Sequence, residues 1–419
     1  MACKSTASQP GSRRLAPGPS PLEDAAAVRE SVSKYYGDTL QGSSDLRTSA
    51  CCTAKPPAKE VVELLRRVPE EIVSKHYGCG SPFPQGVEGK RILDLGCGTG
   101  RDCYVCAGLV GPRGSVTGLD MTDAQLDVAR RHEAAWAADL GYDKPNTRFL
   151  KGRIEYLEEA GLEAGSVDVV ISNCVINLSP EKERCLREVY RVLAPGGEMF
   201  FSDMYSDRRV PEAARRHEVA LGEGLGGALY VNDFISLCKQ VGFSDPRVLA
   251  AEPIKVYDEE LKGLIGGANY YSVTFRLFKL PGLLEPQCEE YGQTATYKGT
   301  VPGSEDAYTL DCDHTFKAGA TVRVCGNTAA MLEDSWLAPH FTVMGDRSTH
   351  QGQFDCGPGN CVLSALSVAS LAGGGGGGGG GGVGVGGGGG RGGSCGGDSS
   401  CAPKPAAAKG GAAAPRKCC

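Results

Sequence analysis

The stretch "ILDLGCGTGRD", residues 92–102, joins a short apolar run to three glycines at alternate positions. The run before Gly96 predicts a buried strand, and a helix-like pattern begins near Asp102. Gly96, Gly98 and Gly100 allow a tight turn and let a ligand approach the backbone, while the following helix N-terminus offers free amides to an anionic group. The segment therefore predicts a ligand-binding loop between a strand and a helix.

Two acidic residues near the loop indicate which kind of ligand it binds. Asp94 lies at the end of the strand, directly ahead of the glycines, and Asp120 closes the next predicted strand, where ribose hydroxyls are usually accepted. An acid before the glycines suits a cationic sulfonium and amino-acid ligand better than a pyrophosphate. The spacing is GxGxG rather than GxGxxG, which again favours S-adenosyl-L-methionine over a nicotinamide dinucleotide. The alternative is an ordinary strand-to-helix turn that binds nothing.

The pattern beyond this loop predicts the fold class. Apolar runs typical of strands alternate with helical patterns as far as "GEMFFSDM" (197–204), which indicates an α/β fold with a parallel sheet and helices on both faces. The apolar, aromatic stretch "NYYSVTFRLFK" (269–279) fits an antiparallel edge strand added to that sheet. Short β-like pieces between about residues 288 and 345 predict a small separate domain.

Composition excludes several classes of function. The chain has 419 residues and a formal net charge of −6, with no Lys/Arg run of the kind that binds nucleic acid or anionic lipid. It has no apolar stretch long enough for a transmembrane helix, and its N-terminus lacks the apolar core of a secretory signal. We therefore expect a soluble, cytoplasmic monomer that binds neither nucleic acid nor membrane. An organelle transit peptide is the alternative for the N-terminus.

The 19 cysteines are scattered along the chain, which favours reduced thiols over a disulfide framework. Cys174, in "SNCVINLSP" (172–180), follows a predicted strand and so faces the edge where open α/β sheets bind ligands. Cys79 in "HYGCGSP" and Cys51 in "TSACCT" precede the sheet, and segments in that position commonly cap the same edge. Cys79 could therefore meet Cys174 above the cofactor. Thiolates without an accompanying base suit a soft, thiophilic acceptor.

The remaining cysteines near the loop have a simpler interpretation. Cys97, Cys103, Cys106 and Cys185 are predicted to be small buried apolar residues. Cys103 and Cys106 form a CxxC pair, but no second pair stands at zinc-site spacing, so a zinc site is the weaker alternative.

Several strings carry a resemblance that covers residues of about 30 to 345: "YYGDTLQGSSDLRTSAC", "HYGCG", "ILDLGCGTGRDCYV", "VTGLDMT", "SNCVINL", "FSDMY" and "LGGALY". Together they resemble the arsenite S-adenosylmethionine methyltransferase family. The resemblance implies a class I Rossmann-like sheet, an arsenic-binding region and a small C-terminal β-containing domain. It further implies that trivalent arsenic, held by thiolates, takes methyl groups from the sulfonium to give mono- and dimethylated arsenicals. A thiol reductant such as glutathione or thioredoxin would be a partner.

The resemblance also assigns residues and domain bounds. Cys79 and Cys174 match arsenic-ligating cysteines, and Cys51 matches an upstream cysteine that can join Cys79 during turnover. The donor-binding positions are Tyr77, Asp94, Gly96, Gly98, Gly100, Asp120, Met121, Ile154, Glu155 and Asn173. The expected domains are a disordered N-terminus (1–25), a donor-binding domain (26–205), an arsenic-binding region with the final sheet strand (206–287), a C-terminal domain (288–371) and a flexible Gly-rich, Cys-containing tail (372–419).

One departure from the family pattern concerns the metalloid site. Where the family commonly has "GECLGG", this chain has "GEGLGG", with Gly224 in place of another ligand cysteine. Cys51, Cys238 or a small thiol such as glutathione could complete the coordination of arsenite, and Gly224→Cys is then expected to tighten arsenite binding. If Gly224 instead serves a backbone conformation with positive φ, cysteine there would cost stability.

The sequence leaves two other functions open. A methyltransferase of an organic acceptor, such as a quinone or sterol, would share the donor loop but would not depend on Cys79 or Cys174. A thiol-rich metalloid-binding protein would bind arsenite without turning over a methyl donor.

Overall fold

The computed structural model describes residues 25–36, 47–50 and 57–356. Three predictions fall on residues outside these ranges: the N-terminal segment, Cys51, and the Gly-rich tail. Among the residues described, no helix is long and apolar enough to cross a membrane.

The central element of the described chain is an eight-stranded sheet in the order β3-β2-β1-β4-β5-β8-β7, with β6 paired to β5. Its strands are β1 (Arg91–Leu95), β2 (Ser115–Asp120), β3 (Thr147–Lys151), β4 (Val167–Asn173), β5 (Leu193–Ser206), β6 (Leu229–Tyr230), β7 (Arg247–Ile254) and β8 (Tyr270–Phe278). The first five run parallel, which confirms the predicted α/β class. The carboxyl ends of β1, β2 and β4 therefore meet at one edge.

Twelve α-helices occur in the described residues. They are α1 (Ala25–Lys34), α2 (Lys59–Arg67), α3 (Glu70–Val73), α4 (Arg101–Val110), α5 (Asp123–Arg131), α6 (Glu133–Asp139), α7 (Lys182–Val192), α8 (Glu212–Arg215), α9 (Glu218–Gly222), α10 (Val231–Val241), α11 (Glu259–Leu264) and α12 (Gly326–Glu333). The stretch "AKEVVELLRRVPEEIVSKHYG" (58–78) has apolar residues at three- and four-residue spacing and predicts one helix where the structure has α2 and α3. It is interrupted because Val68, which precedes Pro69, adopts an extended conformation, as residues before proline prefer.

The position predicted for β8 is wrong. It pairs antiparallel with both β5 and β7, so it lies inside the sheet, and β7 forms the edge. Nearly every residue of β8 is buried, whereas β7 mixes buried and partly exposed positions. A strand that is buried on both faces has a continuous run of apolar residues, and β8 has such a run. Its sequence therefore fits an interior strand better than an edge strand.

The C-terminal part has its own antiparallel strands but shares its hydrophobic core with the main sheet. β9 (Thr294–Tyr297), β12 (Thr321–Arg323) and β13 (Phe341–Met344) form one sheet, and β10 (Ala307–Thr309) and β11 (Thr315–Lys317) form a hairpin. Buried residues of this part, such as Tyr297, Phe316 and Met331, belong to the same hydrophobic cluster as α2, α4 and one face of the sheet. Phe200 on β5 and Phe278 on β8 are members of that cluster from the sheet side. The strands of the C-terminal part thus form sheets of their own, while its hydrophobic core is continuous with that of the main sheet.

A buried ion pair ties the C-terminal part to the sheet. Arg276 on β8 makes two hydrogen bonds to Glu198 on β5, at 2.9 and 3.0 Å, with side chains only 1% and 0% exposed. The same guanidinium donates to the Tyr308 hydroxyl and the Leu310 carbonyl of the C-terminal part. One buried cation thus binds groups of both parts, and losing its counterion would leave the charge uncompensated.

We predict that Glu198→Gln lowers the free energy of unfolding by about 3 kcal/mol, because it leaves the Arg276 guanidinium buried without a counterion. Urea unfolding of the full chain measures this. Glu88→Gln is the matched control, since Glu88 pairs with Arg113 on the exposed surface and should change stability little. Equal unfolding midpoints for the two variants would show that the buried pair is not needed.

Candidate active site

A cavity of about 140 Å³ opens at the carboxyl ends of β1, β2 and β4. Ten of the residues predicted for the site line it: Tyr77, Asp94, Gly96, Gly98, Asp120, Met121, Ile154, Glu155, Asn173 and Cys174. Cys79 lies behind Cys174 in a second, smaller cavity. Gly100 lines neither cavity.

The glycine loop is shaped by contacts that exclude side chains. Gly96 has φ +66°, and a Cβ there would lie 2.5 Å from Cγ1 of Val175. The Gly98 amide donates to Oδ2 of Asp120 at 2.9 Å, which fastens the loop to the end of β2. Gly100 serves the fold instead, because it precedes α4 at φ +87° and a Cβ there would lie 2.9 Å from the Phe149 ring. Gly100 therefore lies outside both cavities, and its contact with the ligand stays a prediction.

Backbone amides hold the Asp120 carboxylate at the wall of the cavity. Its Oδ2 accepts the Gly98 amide and its Oδ1 accepts the Thr122 amide, each at 2.9 Å. Burial raises the pKa of Asp120, and these backbone donors oppose the shift. The side chain is thus held in one orientation toward the cavity, as a ribose-binding acid requires.

Two buried carboxyl groups lie at the inner end of the cavity. Burial, and then the negative charge of Asp102, raise the pKa of Asp94, whose Oδ2 accepts a hydrogen bond from the Cys103 thiol at 3.2 Å. Burial would also raise the pKa of Asp102, but the charges of Arg101 and His76 and a hydrogen bond from Asn173 lower it. A cationic ligand beside Asp94 would favour its ionised form. This end of the cavity is therefore suited to a positively charged group.

The two cysteines predicted as arsenic ligands are joined in this structure by a disulfide, with a Cα–Cα distance of 5.8 Å and a sequence separation of 95. Cys174 has φ +59°, the one non-glycine residue with positive φ in the described ranges. Its amide donates to the Ser202 carbonyl of β5 at 2.8 Å, and the Ser272 hydroxyl donates to the Cys79 carbonyl at 2.7 Å. Positive φ is uncommon for such a residue and is often associated with functional sites.

The Asn173 side chain connects the segments that carry the two cysteines. Its Oδ1 accepts the Gly80 amide and its Nδ2 donates to the Gly80 carbonyl, both at 3.0 Å. The same Nδ2 donates to Asp102 at 3.0 Å. The sequence predicts Asn173 only as a pocket contact, and the pairing with Gly80 next to Cys79 is a long-range contact that it does not reveal.

The second cavity, of about 20 Å³, is lined by Cys79 and Cys174 together with Glu223, Gly224 and Met204. Gly224 has φ +80°, and a Cβ there would lie 2.3 Å from the Met204 methyl group. The sequence allows two interpretations of Gly224: a lost ligand cysteine, or a glycine needed for a backbone conformation with positive φ. The structure favours the second interpretation. Gly224→Cys would be strained and would require Met204 to move.

Cys238 is not a candidate for the missing ligand. It lies on α10 in the hydrophobic cluster of the sheet's other face, fully buried, and lines neither cavity. Cys97, Cys103, Cys106 and Cys185 are buried as predicted. No group of three or more potential metal-binding side chains occurs in the described part of the chain, and Cys103 and Cys106 are both fully buried on α4.

Helix α1 covers the larger cavity, a role that the sequence did not predict. Arg29 of this helix pairs with Glu155 and Glu181, and Tyr36, just beyond its end, lines both cavities. Glu155 also accepts the Ser179 hydroxyl at 2.5 Å. The one signal available was a helical pattern ahead of the first strand, which does not show where that helix packs.

Comparison with known proteins identifies the family. Residues 87–242 match the family model "Methyltransferase domain", and residues 290–364 match "Arsenite methyltransferase C-terminal domain". The chain is 50% identical over 333 residues to an arsenite methyltransferase of Aquipseudomonas alcaligenes, which covers 79% of this chain and 95% of that protein. It is 42% identical over 320 residues to the arsenite methyltransferase of Homo sapiens, with 76% and 84% covered.

A solved structure supports the same assignment. The crystal structure of CrArsM, an arsenic (III) S-adenosylmethionine methyltransferase from Chlamydomonas reinhardtii, matches with a TM-score of 0.70 and 58% sequence identity. The match covers 72% of this chain and all of that chain. The predicted resemblance is confirmed: the chain belongs to the arsenite methyltransferase family.

Proposed function

We propose that this protein transfers methyl groups from S-adenosyl-L-methionine to trivalent arsenic bound by Cys79 and Cys174, giving mono- and dimethylated arsenicals. The observation that carries the proposal is the position of Cys174, which lines the larger cavity while its sulfur lies against that of Cys79. A metalloid held by both sulfurs would stand at the wall of the donor cavity. Neither alternative function accounts for this arrangement.

The residues present fit the donor. His76 Nε2 and Gln125 Oε1 are buried without hydrogen-bond partners in the described residues, and both side chains line the cavity. Asp120 would accept the ribose hydroxyls, Met121 and Ile154 would contact the adenine, and Asp94 would face the cationic part. When bound, the sulfonium supplies an electrophilic methyl group. The protein residues orient it and exclude water.

The acceptor chemistry requires two thiolates and no general base. Trivalent arsenic is thiophilic and keeps a lone pair when it is bound by sulfur, so the lone pair itself can be the nucleophile. The contribution of the protein is then orientation, which can lower a barrier by several kcal/mol. Tyr77 and Asn173 lie beside the two cysteines, where they can restrict the position of the metalloid.

The disulfide between Cys79 and Cys174 is the oxidised form of this pair. It must gain two electrons before both sulfurs can bind arsenic, so the cycle requires a reductant, for which we propose glutathione or thioredoxin.

We also propose that Cys51 can join Cys79 during turnover, as the family resemblance implies; Cys51 lies outside the described ranges. We further propose that the protein acts in the cytoplasm as a monomer.

The direct test is incubation of the full chain with labelled donor, arsenite and a thiol reductant, followed by separation of methylated arsenicals. We expect Cys174→Ser to abolish labelled product, because arsenic loses one of its two sulfur ligands, while donor affinity stays unchanged. Cys312→Ser, a partly buried cysteine outside both cavities, is the control and should keep activity. Methylation by Cys174→Ser at the parent rate would refute the proposed ligand pair.

A second prediction concerns ribose binding. Asp120→Ala should weaken donor binding by about 1–3 kcal/mol, because the ribose hydroxyls lose their acceptor and the Gly98 amide loses its partner. Calorimetry with S-adenosyl-L-methionine measures the affinity. Asp123→Ala, on the exposed start of α5, is the matched control and should bind as the parent does. Unchanged affinity in Asp120→Ala would remove Asp120 from the donor site.

The raised pKa of Asp94 predicts that donor affinity depends on pH. The cationic donor favours the ionised carboxylate, so below the raised pKa binding must release a proton from Asp94 and becomes weaker as the pH falls. Affinity should therefore increase as the pH rises through that pKa. In Asp94→Asn the affinity should be lower and this part of the pH dependence should disappear. Identical pH profiles for the parent and Asp94→Asn would contradict the assignment.

A further inference from the structure

The smaller cavity contains a buried carboxylate oxygen that lacks a hydrogen-bond donor. Glu223, only 5% exposed, lines this cavity beside Cys79 and Cys174. Its Oε1 accepts the Tyr35 hydroxyl at 2.9 Å and the Arg47 amide at 3.0 Å. Its Oε2 is buried and has no partner among the described residues. Glu223 is thus held by one oxygen while the other is unused.

An unpaired buried carboxylate oxygen is costly, and such atoms usually have a partner in a native protein. The cavity has about 20 Å³ of space, which is enough for roughly one water-sized group. A ligand that places a single hydroxyl group there would satisfy Oε2. The unused oxygen and the size of the cavity both point to a small hydrogen-bond donor bound next to the two sulfurs.

The same cavity offers no third thiolate from the neighbouring position. Gly224 has no side chain, and the Met204 methyl group fills the space where a Cβ would project. If the proposed function is correct, arsenite exchanges two of its three hydroxyls for Cys79 and Cys174. Two As–S bonds form, two As–O bonds break, and two water molecules leave. One hydroxyl then remains on the arsenic.

We propose that Glu223 binds this remaining hydroxyl of dithiolate-bound arsenite and accepts its proton when the arsenic is methylated. During transfer the arsenic lone pair forms the As–C bond, and the electron pair of the broken S–C bond stays on the donor sulfur. The arsenic becomes pentavalent and positively charged, which makes its hydroxyl acidic. The proton passes to Oε2 of Glu223, and the oxygen left on the arsenic neutralises the charge.

This role separates the two substrates of the proposed reaction. A monomethyl arsenical bound by Cys79 and Cys174 carries a methyl group where arsenite carries its last hydroxyl, so it offers Glu223 no proton. Glu223 should therefore matter for the first methylation and not for the second. A purely structural role of Glu223, through Tyr35 and Arg47, would affect both methylations equally.

The test compares both substrates in Glu223→Gln, which keeps an oxygen to accept from Tyr35 and Arg47 but removes the carboxylate charge. With a phosphine as reductant, we expect kcat/KM for arsenite to fall by about tenfold or more, as for loss of a hydrogen bond to a charged group, and kcat/KM for methylarsonous acid to stay within about twofold. Glu212→Gln, on the exposed surface of α8, is the control. Added glutathione should restore the arsenite rate, because its thiolate replaces the hydroxyl.

Thermal unfolding and donor affinity of each variant show whether the fold is intact. Should Glu223→Gln be unstable, Glu223→Asp withdraws the oxygen but keeps the charge, and the same arsenite-selective loss is expected. Equal losses for both arsenicals, or no loss for either, would overturn the role of Glu223. If the parent chain methylates neither arsenical, the proposed function fails instead, and the two failures are thereby distinguished.

Discussion

The arrangement of the site depends on one side-chain amide, that of Asn173. It pairs with the amide and the carbonyl of Gly80, so the segment that carries Cys79 is fixed against the strand end that carries Cys174. Its third hydrogen bond reaches Asp102 at the start of α4. Each such bond contributes about 1 kcal/mol net, but together they set the relative positions of the thiol pair and the donor cavity. Neither the sheet alone nor the preceding segment alone would bring the two sulfurs together.

Sheet topology explains why both substrates would be held at the same edge. β1, β2 and β4 are neighbouring parallel strands, so the glycine loop, Asp120 and Cys174 all emerge at their carboxyl ends. Helix α1 closes this edge from outside through Arg29. On the other side, Arg276 fastens the C-terminal part to the sheet. Charged contacts therefore hold both α1 and the C-terminal part against the sheet, and those of α1 lie at the donor cavity.

The sequence predicts features that local patterns encode. The glycine loop and Asp120 follow from strand and helix periodicity, because each lies at the end of an element recognisable within a few residues. Contacts between distant segments are not encoded in this way. The pairing of Asn173 with Gly80, the Met204 methyl group beside Gly224 and the shared core of the C-terminal part all depend on tertiary packing. The position of Cys79 ahead of the sheet indicates that it could meet Cys174, the family resemblance assigns both as arsenic ligands, and the fold shows that the two sulfurs meet.

A site with two thiolates has a consequence for repeated methylation. With three cysteines, arsenite could form one more As–S bond than a methylated arsenical, so the first substrate would be held more firmly than the second. Among the described residues, Met204 and Gly224 leave two sulfurs at this cavity, and the proposed site would then lack that difference. In the proposed reaction, discrimination between the two would rest on the third substituent of the arsenic, hydroxyl or methyl, which would face Glu223. Only interactions that strengthen in the transition state raise the rate of the chemical step. In the proposed reaction, Glu223 takes up a proton as positive charge develops on the arsenic. It would therefore favour the first methylation without binding the methylated product more tightly.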